Sequence, residues 1–550
     1  MAKTILTRTC TTFFRYAYLV WAVILLPTAI PSSFAVVWQY SVPVGTNSEQ
    51  RAYLWLPPDC TRVRGLIVGL QNMLEKPMFQ DSVIRQAATD SGLGIVWISP
   101  GSIGKSDPPL SLKFGPLKDA GDQLQQVLVD LAKESGYQEI EFAPLLAVGH
   151  SAATPFVWGM AEWNPKRVFA ILPYKGWYPG HVTDDVPIFH VSSEWAEVGG
   201  SNWGETWRKD SASVLKLRAR SDRCLIGECA ELGNGHYDWN GVSAGVIAMF
   251  IRKAVQYRLP AGAALNQTVD LKPIDVASGV LVDASSLGTA NFKAVPYNKW
   301  QGDRAKAYWY FDEELARTVN DFMAAPLSKK PQVIDFIING QPAPLEKAGT
   351  AEIHPQFLED GVTWKVEAAF LDRSPTNLYG GAEVGHAPGP ILYKVSTGAI
   401  TQTGTDTFRV WLGRGGVVRQ GPPWEPWGMA YHPGNNEYRS ADRPIHFWVN
   451  VINKEGKPQT IDFPKIPDQR LGTKSMELHA TADAGLPVQF FVVSGPAELQ
   501  NDTLRFEPIP PRSRFPVKVI VGAFQWGRGN EPKVQSAGPV MQEFFIQKPR

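Results

Sequence analysis

Between residues 36 and 260, short and wholly apolar runs alternate with amphipathic stretches, and few architectures accept that pattern. "GLIVGL" (65–70), "GIVWISP" (94–100), "PLLAVGH" (144–150), "RVFAILPY" (167–174) and "PIFHVSS" (187–193) lack the polar alternation of a half-exposed strand. Each is therefore expected to be buried on both faces. Helices are expected over "FQDSVIRQAATDSG", over "KDAGDQLQQVLVDLAKES" (118–135), over 152–163, near 206–220 and over "GVSAGVIAMFIRKAVQYRL". In the second of these, Leu124, Val127, Leu128 and Leu131 recur on one face. "VVWQYSV" and "RAYLWLP" read as two leading strands, and a further strand falls around Cys224–Glu231. Apolar strands separated by amphipathic helices give a mostly parallel sheet with helices on both faces.

Beyond Leu259-Pro260 the texture changes to short alternating segments between Pro- and Gly-rich turns, with "DEELARTVNDFMA" (312–324) the main helical exception. This pattern predicts a β-rich, sandwich-like middle region over about 270–460. A last module, 463–550, carries "ELHATADAGLPVQFFVVSGPAELQNDTLRF", which resembles the Ig-like repeats of bacterial extracellular proteins. That resemblance implies a β-sandwich without chemistry of its own.

At the N-terminus Lys3, Arg8 and Arg15 precede the apolar run Tyr16–Ile30, and "PSSFA" follows with Ser33 and Ala35 at small-residue positions. The run is short for a bilayer span, which needs roughly 20 residues. Residues 1–35 are read as a signal peptide cleaved near Ala35, which makes the mature protein secreted or periplasmic with no membrane span. Export permits disulfides. Cys60, Cys224 and Cys229 remain after cleavage, and Cys224 with Cys229 is one arithmetic pairing among three. With 54 Lys plus Arg against 53 Asp plus Glu, and no long basic block, a nucleic-acid surface is not expected. No paired CxxC or HxH spacing suggests a metal, and no cofactor is implied.

The stretch "LLAVGHSAAT" (145–154) ends an apolar strand in small residues around Ser151. A serine hydroxyl needs a base to remove its proton and an exposed position from which to meet a carbonyl carbon. Gly149 and Ala153, two before and two after, would let a sharp strand-to-helix turn close. The stretch is similar to the G-x-S-x-G elbow of the α/β-hydrolase family, with Ala153 in place of the second glycine. The resemblance covers about residues 36–260 and implies a nucleophile, an acid and a histidine in that chain order. His236, in "LGNGHYDWNG", falls after the last strand, where the family's base belongs. The acid should follow "PIFHVSS", which makes Glu194 the first choice and Glu197 the second, while Asp184 and Asp185 come too early. The oxyanion hole is expected from the amide of Ala152 and from Gln71, Asn72 or Met73 in the loop "LQNMLEKPMF". His150, Trp195 and Tyr237 are pocket candidates.

Serine chemistry on such a fold means ester or amide hydrolysis, with the substrate left open. Export, β-sandwich modules and aromatics near the site (Trp158, Trp177, Tyr178, Trp203, Trp207 and Trp239 besides those above) point to an esterase acting on carbohydrate. A polyester depolymerase or peptidase on the same framework, and a non-catalytic cell-surface carbohydrate-binding protein, are the alternatives. Oligomeric state has no sequence signal.

Overall fold

The computed structural model describes residues 37–101, 112–113, 120–176, 178–194, 206–262, 266–343, 351–374, 379–415, 426–449 and 452–548. The expected signal peptide lies outside them. Residues Val36–Arg550 make one compact unit.

Eight strands form the main sheet: β1 (Tyr40–Val44), β2 (Asn47–Trp55), β3 (Gly65–Leu70), β4 (Leu93–Ser99), β5 (Leu145–His150), β6 (Val168–Tyr174), β7 (Ile188–Ser193) and β8 (Ile226–Glu231). Their spatial order is β1-β2-β4-β3-β5-β6-β7-β8. β1, β2 and β4 pair antiparallel, and every pairing from β4 through β3 to β8 is parallel. That order and direction is the α/β-hydrolase arrangement. The apolar runs are buried at every position of β3, β4, β5, β6, β7 and β8, as strands covered on both faces must be.

Among the described residues, six α-helices accompany the sheet: α1 (Glu75–Gln80), α2 (Ser82–Ser91), α3 (Gly121–Ser135), α4 (Thr154–Trp163), α5 (Thr206–Arg218) and α6 (Ala244–Arg258). The stretch expected as one helix is divided between α1 and α2 at Asp81, whose backbone is extended (φ −63°, ψ 131°) and whose side chain caps Val83 N at 2.9 Å. α2 packs on α6. Gly121 of α3 abuts the Trp163 indole of α4, where a Cβ would stand 2.0 Å from Nε1.

The chain then adds a small sheet, β9 (Val280–Asp283), β10 (Ala294–Pro296) and β11 (Ala307–Tyr310), and helix α7 (Glu313–Leu327). These belong to the first hydrophobic core: Tyr310 OH donates to Glu228 O at 2.6 Å, and a Cβ on Gly227 would collide with the Tyr310 ring. A second core gathers Phe336, Trp364, Phe408, Ile445 and Phe447 from the short strands between 334 and 449. Residues 463–547 form a four-stranded and a three-stranded sheet that contribute to both cores, Phe490 and Val519 to the first, Phe491, Phe524 and Trp526 to the second. Arg512 ties this last part to the hydrolase sheet region through Glu139 at 2.8 Å. Cys60, Cys224 and Cys229 are free, buried thiols, so the Cys224–Cys229 loop is not closed. Burial pushes Cys60 up to about 11 and Cys224 up to about 12, which makes both inert. Among the described residues, no helix is long and apolar enough to cross a membrane.

Candidate active site

β5 ends in His150, and the next residue, Ser151, takes the left-handed conformation (φ 52°) that side chains other than glycine rarely adopt. A single 3₁₀ turn, Ser151–Ala153, then leads into α4. The small residues have a steric reason. A Cβ on Gly149 would lie 2.6 Å from Val157 Cγ2 and 2.8 Å from Ala153 O, because α4 folds back directly onto the strand. Ala153, by contrast, has φ −85°, so the position of the second glycine accepts a methyl group. The strain sits at Ser151 alone, as such strain does at functional turns.

His236 lies in the loop after β8, and its Nε2 is 2.8 Å from Ser151 Oγ. The loop is braced from beneath by Lys175, itself held at a positive φ of 49° just past β6. Its Nζ donates to Gly235 O at 2.7 Å and forms ion pairs with Asp238 Oδ1 at 2.5 Å and Glu231 Oε2 at 2.8 Å. Burial opposes the charge, but the carboxylates of Asp238 and Glu231 outweigh it and hold the ammonium well above the usual lysine range. Asp238 Oδ2 also accepts Gly235 N at 2.8 Å, so the residues flanking His236 are closed into a small ring.

His150 is not a pocket-lining side chain; it is 1 % exposed. Burial, followed by the neighbouring His236, holds it well below the usual histidine range and therefore neutral. Its Nε2 lies 2.9 Å from His236 O and its Nδ1 3.2 Å from Asn72 Nδ2. The carbonyl can only accept and the amide nitrogen can only donate, which assigns the ring proton to Nε2. His150 is thus a strut between the loop after β3 and the histidine loop.

Glu194 follows β7 directly. Its backbone N donates to Asn234 O at 3.1 Å, and its Oε2 accepts Gly233 N at 2.7 Å and Arg439 Nη1 at 3.2 Å. These bonds seat the carboxylate at the base of the histidine loop, where it grips the backbone three residues before His236. Trp195 and Glu197 lie outside the described residues.

The expected oxyanion donors divide. Ala152 is exposed beside Ser151 at the start of the turn. Gln71 N is instead bonded to Ile98 O at 2.8 Å, and its side chain holds Trp97 Nε1, Lys76 N and Met73 O. Asn72 N is bonded to Glu75 Oε2 at 2.8 Å, and Asn72 Nδ2 to His150. Both residues shape the loop through donors already engaged within the protein, which corrects the expectation that they face the oxyanion.

Tyr237 stands edge-on to the His236 ring and stacks on Trp427, with centroids 4.8 Å apart and planes 19° apart. Trp427 stacks in turn on His446. Trp427 and His446 come from strands Trp427–His432 and Ala441–Phe447 of the middle region; Asp442 lies on the second strand and Arg439 in the connection between them. Asn240 Nδ2 donates to Asp442 Oδ2 at 3.0 Å, and burial followed by the charge of Asp238 holds Asp442 protonated, well above the carboxylate range.

Sequence reasoning did not find Glu75, Lys175, Arg439 or Asp442, and it reads Trp427 only as part of the stretch "GPPWEPWGMAYHPGNNEYRS", a lid, a sugar platform or an inter-domain loop. Only Glu75 had a local signal: Asn72-x-x-Glu75 has the spacing at which a glutamate reaches back to a backbone amide before a helix.

No protein-family model and no curated protein matches the chain. Among solved structures it is similar to a monoglyceride lipase from Saccharomyces cerevisiae, with 8% identity, 40% of this chain and 95% of that one covered, and a TM-score of 0.27. It is similar also to Est1E from Butyrivibrio proteoclasticus, at 10% identity, 39% and 97% coverage and a TM-score of 0.27. The poly(3-hydroxybutyrate) depolymerase LpqC from Bordetella parapertussis gives 16% identity, 41% and 92% coverage and a TM-score of 0.27. Scores of this size establish no kinship. The fold assignment rests on the strand order itself.

Proposed function

We propose that this chain is a serine ester hydrolase with Ser151 as nucleophile and His236 as base. The observation that carries the reading is the 2.8 Å contact between Ser151 Oγ and His236 Nε2 at a strained strand-to-helix elbow. Ser151 Oγ bonds to the ester carbonyl carbon while its proton passes to His236 Nε2. The tetrahedral oxyanion receives the Ala152 amide. On collapse the imidazolium protonates the leaving alkoxide, and water repeats the sequence to release the acid. Glu194 or Glu197, after β7, is the acid that this chain order assigns to the histidine.

The proposed substrates are acyl or alkyl esters on carbohydrate. Export through residues 1–35 and Tyr237, whose ring adjoins His236, support this class, since sugar rings pack on aromatic faces. The part from 463 is proposed to be an Ig-like module without chemistry. The test is turnover of acetylated, methylated and feruloylated polysaccharides, with Ser151→Ala as the blank. Release of acid or alcohol from at least one, abolished in the variant, is expected. Equal release by both proteins would refute the serine assignment, and turnover confined to polyesters or peptides would refute the carbohydrate class.

A further inference from the structure

Glu75 is a carboxylate with no part in the steps above, and it is 0 % exposed. It is the first residue of α1. Its Oε1 accepts His150 N at 2.6 Å and its Oε2 accepts Asn72 N at 2.8 Å. The amides of Met73 and of Glu75 itself also turn toward it. One side chain therefore joins the loop after β3 to the residue immediately before Ser151. Asn72 completes the link by donating from Nδ2 to His150 O at 3.1 Å.

Only an ionised carboxylate offers two acceptor oxygens and no donor. A glutamine or a protonated acid in the same place would turn a donor toward an amide N–H and lose one of the two bonds. Among the described residues, no charged group pairs with it. Lys76 turns away to Arg414 O and the Trp97 ring, and Arg85 of α2 to Phe79 O. Lys394, on the strand Leu392–Thr397 that packs on α1, lies over Tyr431, and His150 of β5 is neutral. The remaining neighbour, β4, has no ionisable side chain. Burial pushes the Glu75 carboxyl up to about 7 against the pull of its four amides.

We infer that Glu75 is a positioning residue: its carboxylate fixes the backbone of Asn72 and His150 around the elbow, so that the chemical step at Ser151 requires this carboxylate and not its neutral form. The inference rests on Ser151 being the nucleophile.

Stability and activity should then move in opposite directions. The native state binds a proton at Glu75 at pH values where the unfolded chain has released it, so this group's contribution to stability falls as pH rises toward 7. A glutamine relieves that cost at pH 8. On a soluble chromogenic ester, Glu75→Gln should lower kcat by roughly 10- to 100-fold with KM changed less than about threefold. Its Tm at pH 8 should equal or exceed the wild-type value. In the wild type, with folding intact by circular dichroism, kcat should fall on acidification by roughly 10- to 100-fold more than in Glu75→Gln, as Glu75 takes up its proton. Glu75→Gln should lack this extra fall.

A wild-type profile that nowhere falls more steeply than about tenfold per pH unit overturns the inference whether or not the variant folds. So does a Glu75→Gln kcat within about twofold of wild type, or a loss of kcat matched by a fall in Tm at pH 8, which is the mark of a merely structural carboxylate. The Ser151→Ala control separates the two readings: wild-type turnover there refutes the hydrolase assignment itself, and with it the role given to Glu75.

Discussion

Glu194 and His236 show how much a single residue's partners decide. The position of Glu194 after β7 suits a triad acid, yet its carboxylate holds Gly233 N and Arg439. A residue that turns the imidazole itself would cost about 10⁴-fold in kcat when made into its amide. A residue that braces the loop should cost less, about 10- to 100-fold, through misplacement of the base. We expect the smaller loss for Glu194→Gln, measured as kcat on a chromogenic ester. A loss near 10⁴-fold would make Glu194 the acid, and the same measurement on Glu197→Gln completes the comparison. His150 gives the opposite lesson. Standing beside the nucleophile, it looked suited to the pocket, but burial holds it neutral as a strut.

At the scale of elements, the site is set by what fastens the loop after β8. Lys175 is completely buried and neutralises Glu231 and Asp238 from below. Lys175→Met keeps the volume and removes the charge, leaving two buried carboxylates without their cation. Breaking a buried pair in this way costs roughly 3–5 kcal/mol. Denaturant unfolding should show a loss of that order, and a change below about 1 kcal/mol would mean that the cluster does not hold the loop. The elements themselves were largely legible from sequence. β3, β4, β5 and β6 announce themselves because a strand buried on both faces can carry little else but apolar residues. α3 was legible from its one-sided leucines, and it closes at Gly136, which takes φ 87°. The division between α1 and α2 was not, since Asp81 acts there as a cap, a role decided by backbone conformation rather than by periodicity. Ser151 and His236 could be singled out because their chain order and turn chemistry are local. Lys175 and Arg439 could not, because their roles depend on partners up to 245 residues away.

At the scale of the molecule, the middle region reaches into the site. Trp427 backs Tyr237, Arg439 meets Glu194, and burial together with the charge of Asp238 keeps Asp442 protonated. This last pair predicts a dependence on pH. The folded protein keeps the Asp442 proton, whereas the unfolded chain releases it in the ordinary carboxylate range, so stability is lost as pH rises above that range. Asp442→Asn should remove this loss, with a denaturation midpoint that gains on the wild type from pH 5 to pH 8. A gap that stays constant or closes over that interval would contradict a protonated Asp442. The sequence divided the chain into regions by texture, and it gave no sign that residues 276–323 would join the first core or that residues 463–547 would contribute to both. Short alternating strands specify that one face is buried, not which surface covers it.

The central claim is that Ser151 is an activated nucleophile. It is tested most directly by treating the protein with a fluorophosphonate and locating the adduct by peptide mass spectrometry. One adduct on Ser151, absent from unfolded protein and strongly slowed in His236→Asn, is the predicted result. No adduct, an adduct on another residue, or labelling of Ser151 at the same rate without His236 would contradict it.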